Sequence, residues 1–296
     1  MSDKKKYGIV AIIGRPNTGK STLLNAILQQ KVAITSPLPQ TTRKNINAVY
    51  EDERGKILFM DTPGVLGKVE DLIGKKVNLE LPKTLSNIDV LVAVVDISRP
   101  KNEEENKVIA LVRKSEAKKI LVYNKTDKAV GSKDHFADYN YLEDEFDEWV
   151  KISALKEKGV KEVVNKIFSL LPVKIAKAKQ TSIDSFQHVN RPIIDSSPEE
   201  YVAELIREKA YLFLREEIPY SIQVVVKEIR NKGKIIIIEA DIVTTADRYK
   251  KIIIGRGGKK IKEIGYNARK ELELMTQKKI FLELEVKVDK HWMEQF

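Results

Sequence analysis

Apolar residues in the first half of the chain come in short unbroken runs, separated by stretches whose apolar positions repeat with helical spacing. Tyr7–Ile13, Lys56–Met60, Val90–Val95 and Ile120–Tyr123 are such runs, with many β-branched residues. Parallel strands buried on both faces read this way. Leu23, Leu24, Ile27 and Leu28 share one helical face. Val160, Val163, Val164, Ile167, Phe168 and Leu171 repeat at three- and four-residue spacing until Pro172 stops them. The alternation predicts an open, mostly parallel α/β sheet with helices on both faces over residues 1–173. Its functional loops should lie at the carboxyl ends of the strands.

Residues 174–197 have no sustained period, carry Lys174, Lys177, Lys179 and Pro192, and read as a linker. A second, smaller α+β domain is expected over residues 198–296. Ser197-Pro198-Glu199-Glu200 supplies an N-cap, a proline at the first helical position and acids in the first turn. Tyr201, Val202, Leu205 and Ile206 form that helix's apolar side. Ser221–Glu228 and Lys234–Val243 are β-rich runs joined around Asn231-Lys232-Gly233, a hairpin signal. A short helix (Asp247–Ile254), a tight turn (Gly255–Gly258), a longer helix (Lys259–Thr276) and a strand (Ile280–Val288) should follow.

Composition narrows the class without naming it. Hydrophobic residues make up 42% and charged residues 32%, which are globular values. No apolar run approaches the ~20 residues of a membrane span, and Met1–Lys6 is charged rather than leader-like. The absence of cysteine excludes disulfides and thiolate chemistry and fits a cytoplasmic setting. Lys and Arg outnumber Asp and Glu by 53 to 43, a net charge of +10. Such an excess points to a polyanionic partner where it clusters.

Gly14-Arg15-Pro16-Asn17-Thr18-Gly19-Lys20-Ser21 is a complete phosphate-binding loop, standing after a strand and running through Thr22 into a helix. Glycines let backbone N–H groups turn onto phosphate oxygens, and the helix amino end adds its positive dipole. Lys20 should reach the β- and γ-phosphates and Ser21 should ligate Mg²⁺. Asp61-Thr62-Pro63-Gly64 follows the run Lys56–Met60. Asp61 is expected to approach Mg²⁺ through water and the Gly64 amide to meet the γ-phosphate. Asn124-Lys125-Thr126-Asp127 follows Ile120–Tyr123. The Asp127 carboxylate matches the N1–H and 2-amino group of guanine, a pair adenine lacks. In Ser153-Ala154-Leu155, just before the closing helix, the Ala154 amide is expected to meet guanine O6. GTP or GDP with Mg²⁺ is the expected ligand.

Thr42, in the polar segment Thr35–Asn47, is the candidate second hydroxyl ligand of Mg²⁺ and, with Lys20 and Gly64, forms the candidate catalytic set. Pro37–Asn47 and Val65–Lys75 are expected to be switches that sense the γ-phosphate. Val65 stands where Ras-like enzymes carry the glutamine that orients the attacking water, so slow hydrolysis is expected without a partner or cation. Asn17 is the candidate ligand of a bridging K⁺. Val65 also leaves a second reading, an RNA-binding scaffold that holds GTP or GDP structurally.

The charge does cluster. Arg248, Lys250, Lys251, Arg256, Lys259, Lys260 and Lys262 fall in fifteen residues with no acid among them. They surround Ile254-Gly255-Arg256-Gly257-Gly258, a Gly-x-x-Gly loop between two expected helices. Such a loop admits a nucleic-acid backbone closely, while the second helix offers its amino end to a phosphate. Arg248, Lys251, Ile254, Gly255, Arg256, Gly257, Gly258, Lys259, Lys260 and Lys262 are the candidate RNA-binding residues, with Ile252, Ile253 and Ile254 as apolar floor. The order hairpin, helix, Gly-x-x-Gly, helix, strand is that of a KH module.

These motifs combine with Pro39-Gln40-Thr41-Thr42-Arg43, Ile206-Arg207-Glu208-Lys209 and Glu216-Glu217-Ile218-Pro219-Tyr220-Ser221. Together they make the chain resemble the Era family of bacterial ribosome-assembly GTPases over nearly its whole length. The resemblance implies a P-loop GTPase domain followed by a type II KH domain, and hydrolysis of GTP to GDP with Mg²⁺. It implies binding of small-subunit (16S) ribosomal RNA near its 3′ end, with the pre-30S subunit as partner in its maturation. It also implies a monomer in the cytoplasm and leaves open peripheral contact with the inner face of the cell membrane. Residues 173–197 lack the proline- and tyrosine-rich connection of the family. Gly131–Glu148, with Tyr139, Tyr141 and Phe146, falls outside the pattern and is expected to be a solvated helix with one buried aromatic face.

Overall fold

The computed structural model describes residues 5–35, 46–64, 85–173, 197–215 and 218–294. Thr41, Thr42, nearly all of the first switch segment, the second switch segment, residues 174–196 and Glu216–Glu217 lie outside the described residues. Two compact units result, one ending within the described residues at Val173 and the other beginning at Ser197.

The first unit is a six-stranded sheet of β1 (Lys6–Ile13), β2 (Ile46–Asp52), β3 (Gly55–Asp61), β4 (Val90–Asp96), β5 (Lys118–Asn124) and β6 (Glu148–Lys151), in the order β2-β3-β1-β4-β5-β6. All neighbours are parallel except β2 and β3, which form an antiparallel hairpin. Every residue of β4 is buried, as its unbroken apolar run requires. The edge strands β2 and β6 escaped the apolar-run reading because an edge is covered less; in β6 only Val150 is buried. Helices α1 (Lys20–Leu28) and α3 (Val160–Leu170) set Leu23, Leu24, Val163 and Ile167 against Val10, Ile12, Phe59, Val92 and Val122. Each such side chain contributes roughly 1.5–3 kcal/mol of burial. Helix α2 (Glu103–Lys114) packs on β4. Because β1, β3 and β5 run parallel, the phosphate loop, Asp61 and Asn124 emerge at one edge; Ile12 pairs with Asp61, and Asp96 with Asn124.

The expected helix over 131–148 does not form. Three short 3₁₀ turns (Gly131–Lys133, Phe136–Asp138, Asn140–Glu145) precede β6. Asp134 accepts the Phe136 N–H (2.9 Å), a local side-chain bond that competes with helix. Tyr139 is fully buried and Tyr141 half-exposed, so one aromatic does face inward.

The second unit runs α4 (Pro198–Phe213), β7 (Ile222–Lys232), β8 (Ile235–Thr244), α5 (Asp247–Ile254), α6 (Lys259–Thr276) and β9 (Lys279–Val288). Ser197 and Glu200 form a reciprocal capping box at the start of α4, with Pro198 at its first position. The sheet order is β7-β8-β9; β7 and β8 are antiparallel, β8 and β9 parallel. Leu205, Ile206, Ile253, Ile264 and Leu272 pack on Ile222, Ile238, Ala240 and Ile242. No helix among the described residues is long and apolar enough to cross a membrane.

Candidate nucleotide site and nucleic-acid interface

The phosphate loop leaves β1 and enters α1 at Lys20. Gly19 holds φ +96°, and a Cβ there would lie 2.3 Å from Asn124 Nδ2, so glycine is what lets the base loop approach. The Lys20 ammonium is buried and donates to the carbonyls of Gly14 and Arg15, both at 3.1 Å. Burial pushes its pKa down to about 8, with the Asp61 and Glu105 carboxylates pulling the other way. Ser21 Oγ donates to Asp61 Oδ2 at 2.6 Å, while the other Asp61 oxygen is buried with no hydrogen-bond partner. Burial raises Asp61 to about 6, opposed by Lys20 and the Ser21 hydroxyl. A hydroxyl and an under-coordinated carboxylate are hard oxygen donors of the kind Mg²⁺ takes, and the adjacent buried ammonium suits the phosphates it would accompany. Thr62 Oγ1 donates to the Ile12 carbonyl (2.8 Å), which ties the end of β3 to β1. Pro63 is buried, and Gly64 lies so close to Pro16 that a Cβ would come within 2.8 Å of the Pro16 nitrogen.

The outward carbonyls of the phosphate loop are all taken by side chains. Arg99 donates to Pro16 O (2.7 Å), Lys125 Nζ to Asn17 O (2.5 Å), and Asn124 Nδ2 to Thr18 O (2.8 Å). Asp96 Oδ2 holds both Lys125 Nζ (2.7 Å) and Arg99 Nε (2.8 Å). Burial would raise Asp96, yet the hydrogen bonds from Lys125 and Ser98 hold it below the usual carboxylate range. Sequence reasoning missed Asp96 and Arg99. The available signal was a carboxylate closing the apolar run of β4, at the strand end where functional loops gather.

At the base end, the Asp127 carboxylate is exposed and accepts a hydrogen bond from Ser153 Oγ at 2.5 Å. Thr126 is anchored to the Ile152 carbonyl through its hydroxyl (3.0 Å). The Ala154 N–H donates to Asn124 Oδ1 (2.9 Å), as does the Lys125 N–H (2.8 Å). Asn124 thus ties together the phosphate loop, the base loop and the 153–155 loop. Leu155 is 65% exposed beside them. The Arg15 side chain has a separate partner. It is buried against Glu105, 2.6 Å from Arg15 Nε to Glu105 Oε2.

In the second unit the Gly-x-x-Gly loop is a short turn, Arg256–Gly258, between α5 and α6. Arg248, Lys251, Arg256, Gly257, Lys259 and Lys262 are exposed; Ile254, Gly255, Gly258 and Lys260 are half-buried. Ile253 belongs to the core and not to the apolar floor, because the ~100° step per helical residue carries it away from the exposed Ile252 and onto the sheet. A groove of about 560 Å³ opens beside the loop, between α6 and β9. Lys262, Tyr266 and Arg269 line one wall, and Phe281, Leu284 and one acid, Glu283, the other. Tyr266 and Phe281 are more than half exposed, and the Arg269 guanidinium lies 5.6 Å from the Tyr266 ring centroid. Cationic and aromatic side chains in one groove suit a single strand, with phosphates on the cations and bases on the rings. Tyr266, Arg269 and Phe281 were not foreseen, since they meet only when α6 folds onto β9.

Comparison with known proteins finds relatives of both units. A family described as "50S ribosome-binding GTPase" matches residues 9–125, and one described as "KH domain" matches residues 217–293. GTPase Era of Borreliella burgdorferi is 36% identical over 294 residues, covering 97% of this chain and 96% of the relative. GTPase Era of Deinococcus deserti is 37% identical over 296 residues, covering 97% and 92%. A crystal structure of an Aquifex aeolicus Era variant bound to GDP and AlF4⁻ superposes with a TM-score of 0.85 at 33% identity, covering 98% of this chain and 96% of that one. A structure of Era with MgGDPNP and nucleotides 1506–1542 of 16S ribosomal RNA gives 0.86 at 33% identity, with the same coverage. With the similarity running the length of both chains, this protein belongs to the Era family of GTPases.

Proposed function

We propose that the chain hydrolyses GTP to GDP with Mg²⁺ and binds small-subunit ribosomal RNA near its 3′ end, acting in maturation of the 30S subunit. One observation carries this reading: Asn124 and Lys125 hold the phosphate loop by its carbonyls, so the loop read as the guanine selector and the loop read as the triphosphate cradle are bonded to each other. The second unit adds the exposed cationic loop and its groove. The relative solved with MgGDPNP and the 16S segment supports the pairing of the two ligands.

Ser21 would hold Mg²⁺ directly and Asp61 through a water, joined by Thr42. Mg²⁺ would supply charge neutralisation on the β- and γ-phosphates. Lys20 and the loop N–H groups bind the phosphoryl oxygens and stabilise the charge that builds on them as water attacks in line. Because Arg99, Lys125 and Asn124 occupy the loop's carbonyls, its N–H groups are left to face the nucleotide. Asp127 selects guanine. No protein nucleophile is needed.

The deciding experiment measures multiple-turnover phosphate release with and without a 3′-terminal fragment of small-subunit ribosomal RNA, in Na⁺ and in K⁺. Release that rises with the fragment supports the reading, and a K⁺ requirement lost in Asn17→Ala supports the cation role of Asn17. No release under any condition would leave a nucleotide-holding scaffold instead. A monomeric chain and peripheral contact with the inner face of the membrane complete the proposal. Sedimentation of the free chain tests the first, and flotation with anionic vesicles the second.

A further inference from the structure

We infer that the Arg15 side chain is a positioning residue of the phosphate loop, seated by Glu105 of α2 and latched by Tyr139 from the turn segment before β6. All three side chains are buried, Arg15 at 2% exposure and the other two at 0%. Arg15 Nε lies 2.6 Å from Glu105 Oε2, and Arg15 also donates to the Pro100 carbonyl at 3.2 Å. The Tyr139 hydroxyl donates to the same Glu105 oxygen at 3.2 Å. Tyr139 is itself embedded, its carbonyl facing the Tyr123 hydroxyl, which also donates to Glu143 (3.1 Å).

The link to chemistry runs through the backbone of the same residue. The Arg15 carbonyl accepts from both Lys20 Nζ and Thr18 Oγ1, each at 3.1 Å. A side chain clamped at its far end therefore sets where the carbonyl beneath Lys20 stands. The ammonium that must meet the phosphates starts from that seat. A buried ion pair is a costly way merely to stabilise a fold, since an apolar pair of similar volume often does as well or better. An ion pair to Glu105 together with a directed Nη1–H bond to the Pro100 carbonyl offers what an apolar pair lacks, a preferred orientation of the side chain. The inference assigns a task to residues 131–145, which the nucleotide motifs leave unused.

It rests on the GTPase reading, and the experiment separates the two. The full chain and the variants Glu105→Gln, Tyr139→Phe and the double variant Arg15→Met/Glu105→Leu are compared by thermal melting and by kcat and KM for GTP. Misplacing the loop by a fraction of an ångström should lower kcat on the order of 10-fold or more in Glu105→Gln, while KM rises less than about threefold. Tyr139→Phe should lower kcat in the same direction by less. The apolar double variant should melt at or above the parent and yet keep the low kcat. Recovery of both melting and kcat in that double variant would overturn the inference, even where Glu105→Gln fails to fold. An unchanged kcat in Glu105→Gln would do the same. No turnover by the unmodified chain would sink the GTPase reading, and this inference with it.

Discussion

Replacing Asn124 by alanine tests how far the nucleotide site is a single object. The side chain is 2% exposed and makes three hydrogen bonds: to Thr18 O, from Lys125 N–H and from Ala154 N–H. Each contributes about 1 kcal/mol net, and the buried Thr18 carbonyl and Ala154 amide would be left unpaired at about 1–3 kcal/mol apiece. Partial relaxation brings the expected loss to about 3–5 kcal/mol, or a fall of roughly 10 °C in the melting of the first unit. Trp149 lies in β6 and Trp292 in the second unit, and these are the chain's two tryptophans. A Trp292→Phe background therefore lets fluorescence report on the first unit alone. Urea unfolding gives the stability, and a fluorescent GDP analogue gives the affinity. The companion Asp127→Asn, at an exposed residue, should unfold within about 0.5 kcal/mol of the parent and exchange guanine for xanthine preference. Equal stability of Asn124→Ala and parent, with GDP affinity lost, would refute the bracing role. Asn124 would then act on the base alone.

Arg256→Asp with Gly257→Asp should abolish RNA binding in a filter or anisotropy assay while GDP affinity stays at the parent value; joint loss would point to unfolding. RNA affinity should fall with salt at a log–log slope of roughly −0.7 per phosphate contacted, and a flat profile would remove the cationic loop from the interface. Asp61 is raised to about 6 from its usual 3.8, so without metal the folded protein takes up a proton there, and this group's contribution to stability declines as pH rises from 3.8 to about 6. Mg²⁺ needs the carboxylate, so the Mg²⁺-dependent gain in GTP affinity should shrink as pH falls through about 6. Asp61→Asn should show little gain at any pH, and an unchanged gain at pH 5 in the parent would contradict the assignment. Ser197→Ala removes the capping box of α4 and should cost the second unit about 1 kcal/mol in denaturant unfolding.

What could be read from the chain alone followed locality. The buried run of β4, the phosphate loop and the Asn124–Asp127 loop are contiguous, and each carries its physics within a few residues. The hairpin, the Gly-x-x-Gly turn and α6 were legible for the same reason, with α6 spanning Lys259–Thr276 as read. The misses concern which way a side chain turns or which distant element it meets. Arg15 lies inside the motif but belongs to Glu105, ninety residues on. Ile253 is core because α5 packs on the sheet, a fact about neighbours and not about three consecutive isoleucines. The turns over 131–145 defeated the helix expectation because Asp134 offers the backbone a rival partner.

The parallel pairing of β9 with β8 sets a timetable for the newborn chain. The first sheet has all its strands once β6 ends at Lys151, and α3 is complete at Leu170. The second sheet waits for its third strand across α5 and α6, roughly 35 residues after β8, or about 2–7 s of translation at ~5–20 residues per second. During that interval β8 presents an unpaired rim to its surroundings, where aggregation begins most readily. Emerging polypeptides thus acquire nucleotide competence before they can grip RNA, and the hazard of misfolding falls on the later half.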